Sequence, residues 1–227
     1  MMQPDLKRLI AYSSVSHLGF VMLGIFALNP EGVDGAIYQM LNHGISTGGL
    51  FLLVGMLYMR RHTREISEFG GLWRSVPVYA AIFMVVMLSS IGLPGLNGFV
   101  GEFLIMLGGF IRMRPAVAIA VFGVILEALY MLWTYERVMF GPITKAVNET
   151  IRDLTPREIA VMVPIIALML FMGLYPRPLI SRIEPSVTAM LTRTNVAQAR
   201  LDAERLAARA PIKTLSTREP EIAAAAP

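Results

Sequence analysis

A chain of 227 residues that is 55% hydrophobic and only 16% charged, with a mean hydropathy of +0.60, lies outside the usual soluble range and reads as a polytopic membrane protein. With no cysteine, it excludes a disulfide framework, a zinc–thiolate site and thiol chemistry. The net charge of +4 does not point to nucleic acid, because the basic residues flank apolar spans and form no stripe.

In chain order, the opening MMQPDLKRLI lacks the regions of a cleaved signal peptide, so the first span is expected to enter the membrane and stay. That span covers residues 9–28 and carries Tyr12, Ser13, Ser14, Ser16 and His17. A tight turn, Asn29-Pro30-Glu31-Gly32, leads into a second span over residues 33–59 that holds Gln39, Asn42, His43, Ser46 and Thr47. A hydrophilic loop (RRHTREISEFGGLWR) follows, and the third apolar stretch runs over residues 76–111. Pro115 opens a fourth span reaching residue 140, with Glu127 inside it. Thr155-Pro156-Arg157-Glu158 has the form of an N-capped helix start, and the fifth span covers residues 159–175. The membrane region is thus residues 1–178. Residues 179–210, with Leu191, Val196, Leu201 and Leu206 among polar residues, read as a surface or interfacial amphipathic helix, and residues 211–227 as a disordered tail. The fold class is therefore an all-α bundle of about five membrane helices. No internal repeat and no soluble domain is visible.

The third stretch is too long for one crossing. As a continuous helix it would span roughly 50 Å at about 1.5 Å per residue, against a bilayer core of about 30 Å. In its middle lies GLPGLNGFVGEF, where Pro94 cannot continue a helix and Gly92, Gly95 and Gly98 ease departure from it. A discontinuous helix results, with Glu102 early in its second half. Broken helices persist in membranes only where protein or a water-filled cavity satisfies the freed backbone, and in transporters they mark ion sites.

Ionisable groups within spans are costly and need a reason. The positive end of the second half-helix favours ionised Glu102, while burial favours its protonated form, which suits a group that exchanges protons. The alternative is a protonated or paired structural glutamate. His17 and His43 sit among small polar neighbours on adjacent spans. A lone buried histidine is commonly just hydrogen-bonded, whereas two beside a glutamate on a broken helix suit a proton relay. They lack the third ligand and the spacing of a metal site. Glu127 fits either a hydrogen bond into the bundle interior or a part in conduction. The methionines read as lipid-facing or packing residues, and no nucleotide loop, catalytic nucleophile or cofactor box is present.

Counting Lys and Arg in the loops gives the orientation: ten lie on the side of the N-terminus and two, Arg112 and Arg114, on the other. The N-terminus is therefore expected on the cytoplasmic side and the C-terminal segment outside.

DLKRLIAYSSVSHLGF, MLNHGISTGGLFLLVG, GGLWRSVP and GLPGLNGFVGEF, in this order and at these separations, resemble the antiporter-like membrane subunits of respiratory NADH:quinone oxidoreductase, complex I. The glutamate of GEF is similar to the M type of those subunits; the L and N types usually carry lysine there. The resemblance covers residues 5–178 and implies a proton channel built from inverted five-helix repeats in the inner (cytoplasmic) membrane. Glu102 would be the outlet-side glutamate of its polar axis and His17 and His43 its histidines. The family's earlier glutamate and two lysines have no counterpart, since Lys7, Lys145 and Lys213 all lie outside the spans. The chain would correspond to the last five helices of a longer subunit. Flavin, iron–sulfur clusters and quinone would be held by other subunits, and no cofactor by this chain. The implied partners are neighbouring antiporter-like subunits, the N-terminal half and lipid, with no nucleic acid. The alternatives are a subunit of a multi-subunit cation/proton antiporter or membrane-bound hydrogenase, or a non-conducting structural remnant.

Overall fold

A computed structural model of the chain describes residues 3–209, so the expected disordered tail lies outside the described residues. The helices are α1 (Leu6–Phe26), α2 (Pro30–Arg61), the single turn α3 (Leu72–Ser75), α4 (Pro77–Ser90), α5 (Asn97–Arg112), α6 (Arg114–Met139), α7 (Pro156–Leu174) and α8 (Arg177–Arg209). Among the described residues the only strand-like pairing is an isolated bridge between Asp5 and Glu65.

α1, α2, α6 and α7 are each long and apolar enough to cross a membrane. α4 and α5, with 14 and 16 residues, reach only about 21 and 24 Å at ~1.5 Å per residue. Neither spans a core of about 30 Å alone, so they cross in series. The five expected crossings are present, with the third in two pieces.

The helix starts follow their capping chemistry. The Asp5 carboxylate accepts from the Arg8 N–H at 3.0 Å, and the Asn29 side chain accepts from the Gly32 N–H at 2.9 Å with Pro30 in the first turn. Thr155 and Glu158 form the reciprocal capping box that opens α7.

α2 is the axis of the bundle. It packs on α1, α4, α5 and α7, and half of its most apolar window is buried, against 17% for α6 and α7, whose apolar faces suit lipid. Close contact with α5 depends on small residues: a Cβ at Gly35 would stand 2.7 Å from the Ile105 nitrogen. Around this axis, Leu6, Ile10, Leu50, Leu53, Phe83, Met87, Met139, Met162 and Met169 form one core drawn from five helices. Phenol groups tie it across helices: Tyr38 donates to the Met172 carbonyl at 2.7 Å and Tyr135 to the Ala80 carbonyl at 3.0 Å.

Two compact units divide the chain after Leu191. Within the first, Val187 and Leu191 of α8 pack with Val33 of α2. In the second, the described side chains of α8, residues 192–205, are exposed, the periodic Val196 and Leu201 included.

On the side that holds the N-terminus, Arg60 is the hub of a polar network. Arg60, in the last turn of α2, donates from Nη1 and Nη2 to the Glu158 carboxylate at 2.7 and 2.6 Å, and to the carbonyls of Met56, Arg152 and Asp153. Asp153 in turn accepts from the Val78 and Tyr79 N–H groups at 2.8 and 3.0 Å, capping α4, which has no side-chain cap of its own. One guanidinium thus fixes α2, α4 and α7. Paired charges of this kind are costly to break singly, because the survivor loses its partner in a partly dry site. Arg60→Met should therefore destabilise the detergent-solubilised protein by about 2 kcal/mol in thermal unfolding. Adding Glu158→Gln should cost much less than the sum of the two single changes.

Candidate functional site

The break between α4 and α5 is built from its sequence. Past Ser90, Gly92 adopts φ +73° and the chain closes a Schellman motif: the Leu93 N–H donates to the Leu88 carbonyl at 3.0 Å and the Gly92 N–H to that of Ser89 at 3.5 Å. A β-turn follows, with Pro94 at its second position and Gly95 (φ +96°) at its third, closed by the Leu96 N–H on the Leu93 carbonyl at 3.0 Å. Gly98 acts differently. It lies inside α5, where a Cβ would overlap the Ser89 carbonyl, so it sets how closely the two half-helices approach.

Glu102 lies in the second turn of α5, and side chains on a helix lean toward its N-terminus. Its carboxylate therefore reaches back over the break: Oε2 comes within 2.5 Å of where a Cβ of Gly92 would be, and Oε1 accepts from Gln39 Nε2 at 3.2 Å. Opposite stands His17 of α1. Its Nδ1 is 3.7 Å from Glu102 Oε1, and its Nε2 is 2.9 Å from Glu127 Oε1 of α6 and 3.3 Å from Ser90 Oγ. The Glu127 contact is the shortest of the three. His43 of α2 places its ring centroid 5.2 Å from that of His17 and bonds Thr47 Oγ1 through Nδ1 at 3.0 Å. Four residues read separately from the sequence thus meet in one cluster, contributed by α1, α2, α5 and α6. His17, Glu102 and Glu127 are 3%, 4% and 3% exposed, and His43 is half-buried.

A chain of neutral polar groups runs on from Glu102. Asn42 Nδ2 donates to Gln39 Oε1 at 3.2 Å and to the Asn97 carbonyl at 2.7 Å. The Ser89 hydroxyl donates to Asn97 Oδ1, and Ser46 Oγ lies 2.8 Å from Ser89 Oγ and 3.4 Å from Asn97 Nδ2. Gln39, Asn42 and Ser46 are visible in the sequence as polar residues within a span. Ser89, Ser90 and Asn97 are not singled out there, although a Ser-Ser pair before a Gly-Pro break and an amide after it are the signals that would find them.

Two buried carboxylates flank one imidazole within 4 Å, and full ionisation of both would place like charges together away from water. Protons are then distributed over the group as a whole. An imidazole that faces one carboxylate with each nitrogen can accept a proton on one side and release one on the other. Among the described residues, no group of three His, Asp or Glu side chains is arranged to hold a metal ion.

A transmembrane family described as NADH:quinone oxidoreductase/Mrp antiporter matches residues 1–129. NADH-quinone oxidoreductase subunit M of Rhodobacter capsulatus is 51% identical over 189 residues, covering 83% of this chain and 37% of that protein. Subunit M of Mycobacterium tuberculosis is 46% identical over 190 residues, 84% of this chain and 34% of the relative. The chain thus spans little more than a third of the curated relatives it matches. A chain in the structure of respiratory complex I from Thermus thermophilus with bound NADH superposes with a TM-score of 0.79 at 36% identity, covering 84% of this chain and 40% of that one. A chain of the Mrp complex from a Dietzia species shares the fold, with a TM-score of 0.76 at 21% identity, covering 87% and 45%.

Gly92 allows a direct test of the geometry. Gly92→Ala adds a methyl group at a left-handed backbone position and against the Glu102 carboxylate, and should cost about 1–3 kcal/mol in thermal unfolding. Gly19→Ala, in α1 where a Cβ meets nothing within 4 Å, should be neutral or stabilising.

Proposed function

The chain belongs to the NADH:quinone oxidoreductase/Mrp antiporter transmembrane family, and from that premise we propose that it forms part of a membrane-arm subunit of a proton-pumping NADH:quinone oxidoreductase. The observation that carries this is the His17 imidazole held between Glu127 and Glu102 beside a helix break. In this role protons pass between the two carboxylates over the ring: Nε2 accepts a proton from Glu127 and Nδ1 gives one up to Glu102. The amide and hydroxyl chain from Gln39 through Asn42 to Asn97 and Ser89 holds Glu102 in place and continues the polar line along α2. His43, one ring away, supplies a further protonatable group.

Electron transfer from NADH to quinone belongs, in this assignment, to other subunits with their flavin, iron–sulfur and quinone sites, and this chain carries no cofactor. Its partners are the neighbouring antiporter-like subunits, the remaining helices of the same subunit, and lipid. The membrane is the inner (cytoplasmic) membrane, with the N-terminus, Arg60, Arg61, Arg64 and Lys145 on the cytoplasmic side and the α5–α6 junction outside, in keeping with the Lys/Arg balance of the loops. The family model covers both kinds of protein, but identities of 51% and 46% to relatives named NADH-quinone oxidoreductase subunit M, against 21% to the Mrp complex chain, favour this assignment over a cation/proton antiporter.

The test is Glu102→Gln in the full-length subunit, within the assembled complex in inverted membrane vesicles. Proton pumping per NADH oxidised should fall several-fold while the complex still assembles. Pumping at the wild-type level would remove Glu102 from the pathway.

A further inference from the structure

Arg60, Arg61, Arg64 and Lys145, on the side that holds the N-terminus, each have a carboxylate partner within the chain. Glu136 and Arg137, near the end of α6 on the same side, are exposed and have no ion-pair partner among the described residues. Consecutive on a helix, they diverge by about 100° and do not face one another. Both instead line one cleft of about 570 Å³, together with Ser67, Trp133, Phe140 and Thr144. The walls of this cleft are tied to each other. The Gly71 N–H donates to the Phe140 carbonyl at 3.0 Å, and Thr144 Oγ1 to the Phe69 carbonyl at 3.5 Å. A Cβ at Gly70 would stand 3.0 Å from the Pro142 carbonyl oxygen, so the loop after α2 and the segment after α6 are in direct contact.

The Arg137 guanidinium lies over the Trp133 ring, 4.3 Å from its centroid, and tryptophan is enriched at the membrane–water interface. Deeper along the same face, at helical spacing, Leu129, Ile125 and Phe122 are more than half exposed. From Arg137 to Phe122 the helix rises about 22 Å at ~1.5 Å per residue. That is half of a bilayer of about 40–45 Å with its headgroups. A face of this length, apolar below and charged at its top, has the profile of one leaflet's phospholipid. The two charges select the headgroup. A purely anionic headgroup would meet Glu136 as well as Arg137, whereas a zwitterion satisfies both. A primary ammonium donates hydrogen bonds to a carboxylate, and a trimethylammonium has no N–H to give.

We propose that the cleft at the end of α6 binds a membrane phospholipid with an ethanolamine headgroup. Its phosphate sits on Arg137, its ammonium on Glu136, and an acyl chain lies along Leu129, Ile125 and Phe122. The site goes beyond the proton-conducting role set out above and does not depend on it.

The test uses the full-length subunit in its assembled complex, reconstituted in phosphatidylcholine nanodiscs. These carry a trace of phospholipid with a photoactivatable diazirine on one acyl chain. Probes with ethanolamine, choline and glycerol headgroups are compared, and crosslinks are mapped by peptide mass spectrometry. The ethanolamine probe should label residues 122–133 about fivefold more than either of the others, the upper end of what an exposed ion pair supplies. Unlabelled phosphatidylethanolamine should displace it, and an equal amount of phosphatidylglycerol should not. Glu136→Gln should bring the ethanolamine probe down to the level of the choline probe, while Arg137→Gln lowers both. A substitution that only disturbed packing would move all three probes alike. Equal labelling by the three, a preference for the glycerol headgroup, or a preference that survives Glu136→Gln would overturn the site. So would the absence of any crosslink to this face, which would mean that protein covers it in the assembled complex. Displacement is measured on the unaltered protein, so it decides the site even where a substitution prevents assembly.

Discussion

A helix cannot stop in the middle of a membrane without a partner for every backbone group it frees, and that constraint shapes the rest of this structure. At the end of α4 the carbonyls of Leu88 and Ser89 are taken by the Schellman motif, and the Leu93 carbonyl by the turn that leads into α5. The Asn97 carbonyl is taken by Asn42, and Asn97 itself is held between Ser46 and Ser89. The polar face of α2 is therefore required by the break before any functional demand is placed on it. The same requirement brings Glu102 inward: an N-terminal half-turn packed that closely on α4 leaves its next inward side chain facing Gly92 and His17.

Much of this was legible in the sequence. Pro94 with its glycines marked the break, and a length of apolar sequence that no single crossing could use required one. Thr155 and Glu158 announced the start of α7 by a rule that depends on four consecutive residues. His17, His43, Glu102 and Glu127 stood out because ionisable groups in apolar spans are rare. Their convergence was not legible. Glu127 lies 110 positions from His17 along the chain, and only the packing of α6 on α1 brings them to 2.9 Å. Ser89 and Ser90 stayed hidden for a different reason. Hydroxyl residues are tolerated throughout membrane helices by bonding their own backbone, so their presence carries little information until a neighbour is known. The individual role of Gly98 was equally hidden, because close approach and left-handed geometry select the same residue.

The cluster is economical in charge. A single buried carboxylate could be kept neutral by its own proton and would then hold that proton firmly. Two carboxylates sharing one imidazole offer several arrangements of the same net charge, differing only in which atom carries the proton. Movement among them leaves the total charge within the membrane unchanged, so each step avoids the full cost of placing a new charge there. The neutral amides of Gln39 and Asn42 stabilise Glu102 without adding to that total.

α2 connects this cluster with the surface. Gln39 and His43 lie in its first half, and Arg60, at its end, grips α7 and the loop that caps α4. From Gln39 to Arg60 the helix rises about 32 Å, at ~1.5 Å per residue, as one uninterrupted element. A helix interior is stiff, and the Arg60 contacts leave its end little freedom. Any displacement of α2 therefore acts at both places: it shifts the amide that holds Glu102 and strains the guanidinium that holds α4 and α7. α4 is gripped at its start by Asp153 and, at its end, by Ser89 on Asn97. The two half-helices and α2 thus form a closed mechanical loop around the break. His17, on α1, stands outside this loop, and its 3.7 Å separation from Glu102 is beyond direct hydrogen bonding, so no hydrogen bond ties the ring to the carboxylate that the loop holds.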